Sequence, residues 1–94
     1  MNRLTDFHGD TTGLLTAIVE ALDIPMASID ETDERKHYRL LERRAADVVI
    51  VLSVLLRYPG AEVVEDSVRE IRHRTASNPV NYTPFRYEEP GDEG

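Results

Sequence analysis

"DVVIVLSVLL", from Asp47 to Leu56, decides the fold, because it gathers eight aliphatic residues of a short, highly charged chain around one serine. A bilayer crossing needs about 20 apolar residues. The run has only half that length, so we expect no membrane span. Its β-branched residues would suit a buried strand. However, the sixteen residues from Glu31 to Ala46 contain no glycine or proline and favour a helix. We therefore interpret the run as the second half of one long helix, with the strand as the alternative.

Local signals divide the chain into three helices. Pro25 ends the first helix because proline cannot continue one, and Ser28 or Asp30 can cap the next. Pro59 and Gly60 form the turn that ends the second helix. The prediction is an all-α, three-helix arrangement with a long central helix (about 31–57) and two flanking helices (about 12–22 and 61–76).

The C-terminal end differs in composition from the rest of the chain. It holds three prolines, which forbid a helix there, together with three aromatic residues and a run of acids. We expect a single helical domain over 1–78 and an extended Pro/aromatic C-terminal arm over 79–94. Residues 80–85 are expected to dock on the protein's own body or on a second copy, and the acidic end, from Glu88, is expected to be disordered.

The composition limits the functions to be considered. The chain has 94 residues, a net charge of −7 and no cysteine. A disulfide framework, a thiolate zinc site and a cysteine nucleophile are therefore excluded. The absence of cysteine fits a reducing compartment, so we expect a small acidic cytoplasmic protein. Its net charge disfavours bulk attraction to nucleic acid or to an anionic membrane surface.

The central helix predicts self-association. Its predicted length of roughly 39 Å exceeds the roughly 32 Å diameter of a compact chain of this size. In this interpretation, one row of apolar residues on the helix faces the core. A second row of apolar residues lies on the other side of the helix. We expect a homodimer of about 21 kDa in which a second copy covers that second row; the alternative is coverage by the flanking helices. The core stripe comprises Tyr38, Leu41, Ala45, Val48, Val49, Leu52, Leu55 and Leu56. The candidate dimer face comprises Leu40, Ile50, Val51 and Val54.

No motif in the sequence specifies a reaction, a cofactor or a metal. Two Glu-x-x-His motifs, at Glu34 to His37 and Glu70 to His73, have the spacing of di-metal helical bundles. The second motif points away from the apolar side of its helix, so we expect a capping acid and two solvated histidines. Ser53 is the hydroxyl that the pattern buries, and we expect it to bond an upstream carbonyl. We therefore predict no enzyme activity, no cofactor and no metal site.

Charged and aromatic residues are the remaining candidates for partner binding. Four basic residues line the polar face of the central helix, where contacts to phosphates are stereochemically feasible, and three aromatic residues lie in the C-terminal arm. The expected function is that of a non-enzymatic interaction or regulatory module acting as a homodimer, with a second protein bound through the arm. The alternative is a nucleic-acid-associated regulator. The candidate partner-binding residues are Arg35, Lys36, Arg39, Arg43, Tyr82, Phe85 and Tyr87.

Overall fold

The computed structural model describes residues 10–86, which form three α-helices: α1 (Asp10–Leu22), α2 (Glu31–Arg57) and α3 (Ala61–Ser77). This confirms the predicted all-α, three-helix arrangement with a long central helix. The apolar run after Asp47 is helical throughout, so the strand alternative is wrong. No helix in the described part of the chain is long and apolar enough to cross a membrane.

Asp30 fixes the start of α2. Its carboxylate accepts hydrogen bonds from the main-chain N–H groups of Thr32 and Asp33, at 2.8 and 3.2 Å. These are two of the four N–H groups that a helix start leaves without a partner. Ser28, the other predicted cap, acts one step earlier: its hydroxyl accepts from the Asp30 N–H and donates to the Asp33 carboxylate at 2.8 Å. This bond to Ser28 lowers the pKa of Asp33.

The three helices meet in a small core. It is formed by buried residues from all three helices, and half-buried neighbours such as Ile18 and Leu52 pack against it. α3 runs back along α2 after the turn at Pro59, since Arg74 near its end bonds Asp47 in the middle of α2. The buried core residues are Ala17, Ala21, Val48, Val51 and Ile71.

The predicted core stripe of α2 is wrong in part. Val48 and Leu55 are buried, whereas Tyr38, Val49 and Leu56 are exposed. Positions that the sequence pattern placed outside the core, such as Leu40 and Val51, lie on the buried side of α2. Three of the residues on this side are polar or charged. The residues of α2 buried in the structure are His37, Leu40, Arg44, Asp47, Val48, Val51 and Leu55.

The described part of the C-terminal arm docks on the loop between α1 and α2. The Ser28 N–H donates to the Thr83 carbonyl at 2.9 Å, and the Phe85 N–H donates to the Met26 carbonyl at 2.7 Å. These bonds form a single antiparallel bridge between Ala27 and Pro84. The arm therefore packs on its own chain, one of the two outcomes expected from the sequence. The expected disorder from Glu88 onward falls outside the described residues.

Candidate interaction surfaces

A buried arginine joins the ends of two helices. Arg44 is 7% exposed, and its Nη1 donates to the carbonyl of Ala21 at 3.0 Å, with the Glu20 carbonyl at 3.4 Å. Its Nε and Nη2 donate to the carbonyl of Asn78, at 3.1 and 2.8 Å. Ala21 lies in the last turn of α1, and Asn78 follows α3 directly. The C-terminal end of a helix carries partial negative charge and unpaired carbonyls, so one guanidinium satisfies two such ends.

A second buried charge lies one turn further along α2. The Asp47 carboxylate accepts from Arg74 Nη1 at 2.9 Å, and Arg43 Nε lies 3.6 Å away. Arg74 also donates to Glu70 at 2.8 Å, and these two carboxylates raise the pKa of its guanidinium, Glu70 most strongly. The pair of Asp47 and Arg74 therefore joins α2 to α3 beside the Arg44 contact.

The two histidines and the serines in the described part of the chain lie in different surroundings. His37 is buried with its ring edge-on to Tyr82, with ring centroids 5.5 Å apart, so its expected solvation is wrong. His73 is exposed, as expected. Ser53 is also exposed, and among the serines of residues 10–86 the buried one is Ser67 on α3. Within residues 10–86, no three His, Cys, Asp or Glu side chains come together as metal ligands.

An open groove runs between α2 and α3. It encloses about 510 Å³, with an apolar floor that includes Ile50, Val54 and Tyr58 and a polar wall that includes Glu70 and Arg74. Ile50 and Val54, two of the four candidate dimer residues, are each 50% exposed beside it. The other two, Leu40 and Val51, lie in the chain's own interior.

A second set of exposed apolar residues lies on the outer sides of α1 and α2. On α1 it comprises Leu15, Val19 and Leu22, beside a shallow depression of about 310 Å³. On α2 it comprises Val49 and Leu56, which are 62% and 81% exposed. The sequence pattern contained these α2 positions but assigned them to the core. We call this surface the α1–α2 face.

The candidate basic residues form a row on the exposed first half of α2. Arg35 lies 3.5 Å from Glu31, and Arg43 lies 3.6 Å from the Asp47 carboxylate. Lys36 and Arg39 form no ion pair among residues 10–86. Two of the four basic residues therefore lie in ion pairs within their own helix. The bond from Ser28 and, more weakly, the charge of Lys36 lower the pKa of Asp33.

The three candidate aromatic residues of the arm differ in how the structure places them. Tyr82 is buried, and its hydroxyl donates to the Pro25 carbonyl at 2.5 Å. Burial raises the pKa of the Tyr82 phenol, although Arg44 opposes the shift. Phe85 is half exposed, and Tyr87 lies outside the described residues. Tyr82 is thus part of the protein's interior, which leaves Phe85 as the described aromatic residue of the arm that a partner can reach.

Sequence reasoning missed Arg44, although a signal for it exists. Leu40, Arg44, Val48 and Val51 follow one another at spacings of three or four residues, so they share one side of a helix. A charged residue in phase with buried aliphatic ones indicates a buried charge that needs partners. Those partners lie more than twenty residues away in the chain.

Together, the fold and these surfaces define an all-α, three-helix protein with an arginine held between two helix ends and with uncovered apolar outer faces. No protein-family model, curated protein or solved structure matches the chain.

Proposed function

We propose that the protein is a non-enzymatic helical interaction module that acts as a homodimer. One observation carries the proposal: in the described part of the chain, thirteen large apolar side chains are exposed and only seven are buried. Single exposed apolar residues are ordinary, but contiguous apolar surface is typical of protein contacts. The two outer surfaces described above concentrate these side chains.

The expected affinity follows from the exposed area. Full burial of an aliphatic side chain contributes about 1.5–3 kcal/mol, so a half-exposed one contributes about 1 kcal/mol when a partner covers it. Five such residues on each of two copies contribute roughly 10 kcal/mol in total. Association costs at least about 4 kcal/mol in lost freedom of motion. The balance of about 6 kcal/mol corresponds to a Kd of tens of micromolar.

The chemistry of the groove wall supports a binding role over a catalytic one. Its charged groups are engaged with each other and with neighbours: Glu70 with Arg74, and Asp66 with Arg69. A catalytic acid, base or nucleophile needs a positioned partner that faces a substrate. Side chains that already satisfy one another do not offer such a group to a substrate.

Multi-angle light scattering on the full chain tests the proposal. The chain has a mass of 10.7 kDa, so at about 100 µM, above the expected Kd, we expect a weight-average mass well above that of one chain, rising toward about 21 kDa at higher concentration. This mass should fall toward that of the single chain on dilution below 1 µM. A mass of one chain at every concentration up to a few hundred micromolar would end the proposal.

Nucleic-acid binding is a second candidate function, favoured by one observation. Lys36 and Arg39 are exposed on α2, and within residues 10–86 neither lies in an ion pair closer than 4.0 Å, so both can contact phosphates. Fluorescence anisotropy with a labelled DNA duplex at low salt tests this. The Lys36→Glu/Arg39→Glu variant should abolish binding, whereas Arg57→Glu/Arg86→Glu, with the same change in net charge, should weaken it far less. Absence of binding by the wild-type chain at 20 mM salt would eliminate this candidate.

A further inference from the structure

α1 and α2 carry apolar stripes with the same spacing on their outer sides. Ile18 on α1 and Leu52 on α2 are half buried and pack against the core. Each is flanked by exposed apolar residues three positions before it and four positions after it, so these neighbours lie on the same side of the helix. The α1 stripe is Leu15, Ile18 and Leu22, and the α2 stripe is Val49, Leu52 and Leu56.

Alternating spacings of three and four are typical of helices that pack side by side in coiled coils and four-helix bundles. In this chain the middle residue of each stripe is covered by the protein's own core, while the outer residues remain uncovered. The two helices therefore present half of a bundle. We propose that α1 and α2 of one copy pack against α1 and α2 of a second copy around a twofold axis, completing an intermolecular four-helix bundle.

The chemistry of the α1–α2 face identifies a second copy as the occupant. Neither stripe contains a charged residue. The α1 stripe is bordered by the hydroxyl side chains of Thr12 and Thr16 and by Glu20, whose carboxylate lies 3.6 Å from Arg72 of α3. Charged residues flank the α2 stripe at its two ends, with Glu42 before it and Arg57 after it. In a chain with a net charge of −7, like charges on two copies repel each other, so a contact with an uncharged centre favours the pairing of two copies. A twofold axis places each uncharged stripe against its equal.

The groove between α2 and α3 fits a second copy less well. Its wall carries Asp66, Glu70 and Arg74. Pairing that groove with itself would bring carboxylates of two copies together beside a desolvated floor, which disfavours association. The proposal thus moves the dimer contact from the predicted residues Ile50 and Val54 to the opposite side of α2. It rests on the proposed homodimer and specifies the contact.

Two matched double variants of the full chain test the assignment. Val49→Glu/Leu56→Glu places charge in the α1–α2 face, and Ile50→Glu/Val54→Glu places equal charge in the groove. All four positions are at least half exposed on the same helix, and glutamate is a good helix former, so both variants should keep their helicity by circular dichroism. In sedimentation equilibrium, we expect the first variant to weaken the dimer about 100-fold or more and the second less than about threefold.

The outcomes separate this inference from the proposed function. A wild-type chain that never dimerises would end the proposed function itself. Two results would overturn the α1–α2 contact while the homodimer stands. In one, the Val49→Glu/Leu56→Glu variant still dimerises as the wild type does. In the other, both double variants weaken the dimer to the same extent.

Disulfide trapping keeps the inference testable if a glutamate variant fails to fold. The chain has no cysteine, so any disulfide formed by a single introduced cysteine must join two copies. A disulfide requires Cα atoms no more than about 7 Å apart. Under mild oxidation, at least one of Ala45→Cys, Val49→Cys and Leu56→Cys should give a cross-linked dimer, whereas Ile50→Cys and Val54→Cys should not. Cross-linking only at the groove positions would contradict the proposed contact.

Discussion

Replacing Arg44 with methionine isolates the contribution of the guanidinium that joins α1 to α3. Methionine keeps an unbranched apolar stem in the same place and removes all the donors. The carbonyls of Ala21 and Asn78 then lose the guanidinium, and each buried acceptor left without a partner costs about 1–3 kcal/mol. The loss of positive charge at two helix ends adds about 0.3–1 kcal/mol for each end. Relief from burying a cation offsets part of this cost.

The net expectation for Arg44→Met is a loss of about 2–4 kcal/mol in the free energy of unfolding. Arg44→Lys should fall between it and the wild type, because one ammonium cannot reproduce the planar fork that spans both carbonyls. Arg43→Met is the matched control: its side chain is 64% exposed and lies 3.6 Å from Asp47, so we expect a loss below about 1 kcal/mol.

Urea unfolding followed by circular dichroism at 222 nm measures these differences, with all variants at one protein concentration because dimerisation contributes to stability. In a chain of this size, each kcal/mol also lowers the Tm by about 4–8 °C. If Arg44→Met costs no more than Arg43→Met, the guanidinium does not hold the helix ends together and the reasoning about Arg44 is wrong.

Three further predictions concern the arm, the start of α2 and the second buried charge. Tyr82→Phe should cost about 1 kcal/mol at pH 7 through the lost bond to Pro25. Because the folded-state pKa of Tyr82 is raised, the phenol contributes stability that is fully present below pH 10.0 and is lost as the pH rises through the raised value. The urea midpoint of the wild type should therefore fall in this pH range, and that of Tyr82→Phe should not. The lowered pKa of Asp33 contributes stability above pH 3.8 that is lost as the pH falls through the folded-state value. The difference in urea midpoint between the wild type and Ser28→Ala should therefore become smaller at acid pH. A difference that does not change with pH would contradict the stabilising bond from Ser28 to Asp33. Asp47→Asn should cost about 1–2 kcal/mol in urea unfolding by weakening the contact with Arg74; a stability equal to the wild type would refute that role.

The helix boundaries were predictable because local signals set them. Asp30 accepts from N–H groups two and three residues away, and Pro59 and Gly60 break the chain wherever they occur. The sequence interval between these signals is the helix α2. Docking of the arm was also predictable in outline, since Tyr82 is a large apolar side chain in a segment that cannot form a helix.

The orientation of α2 could not be predicted from its pattern. A hydrophobic pattern places charged residues outside, but Arg44 and Asp47 belong to the buried side. Their burial is compensated by Ala21, Asn78 and Arg74, which are distant in sequence. The prediction followed the apolar residues alone, and this error turned the core stripe toward Val49 and Leu56, which are solvent-exposed in the structure. The same error placed the candidate dimer face partly inside the protein.

The dependence of thermal stability on protein concentration tests the central claim most directly, because it asks whether a second copy covers apolar surface that the single chain leaves exposed. For a protein stabilised by pairing, mass action makes the Tm depend on concentration. We expect the Tm of the full chain to rise by several degrees between about 2 and 200 µM, a span that brackets the expected Kd. A Tm that is constant over this hundredfold range would contradict the account.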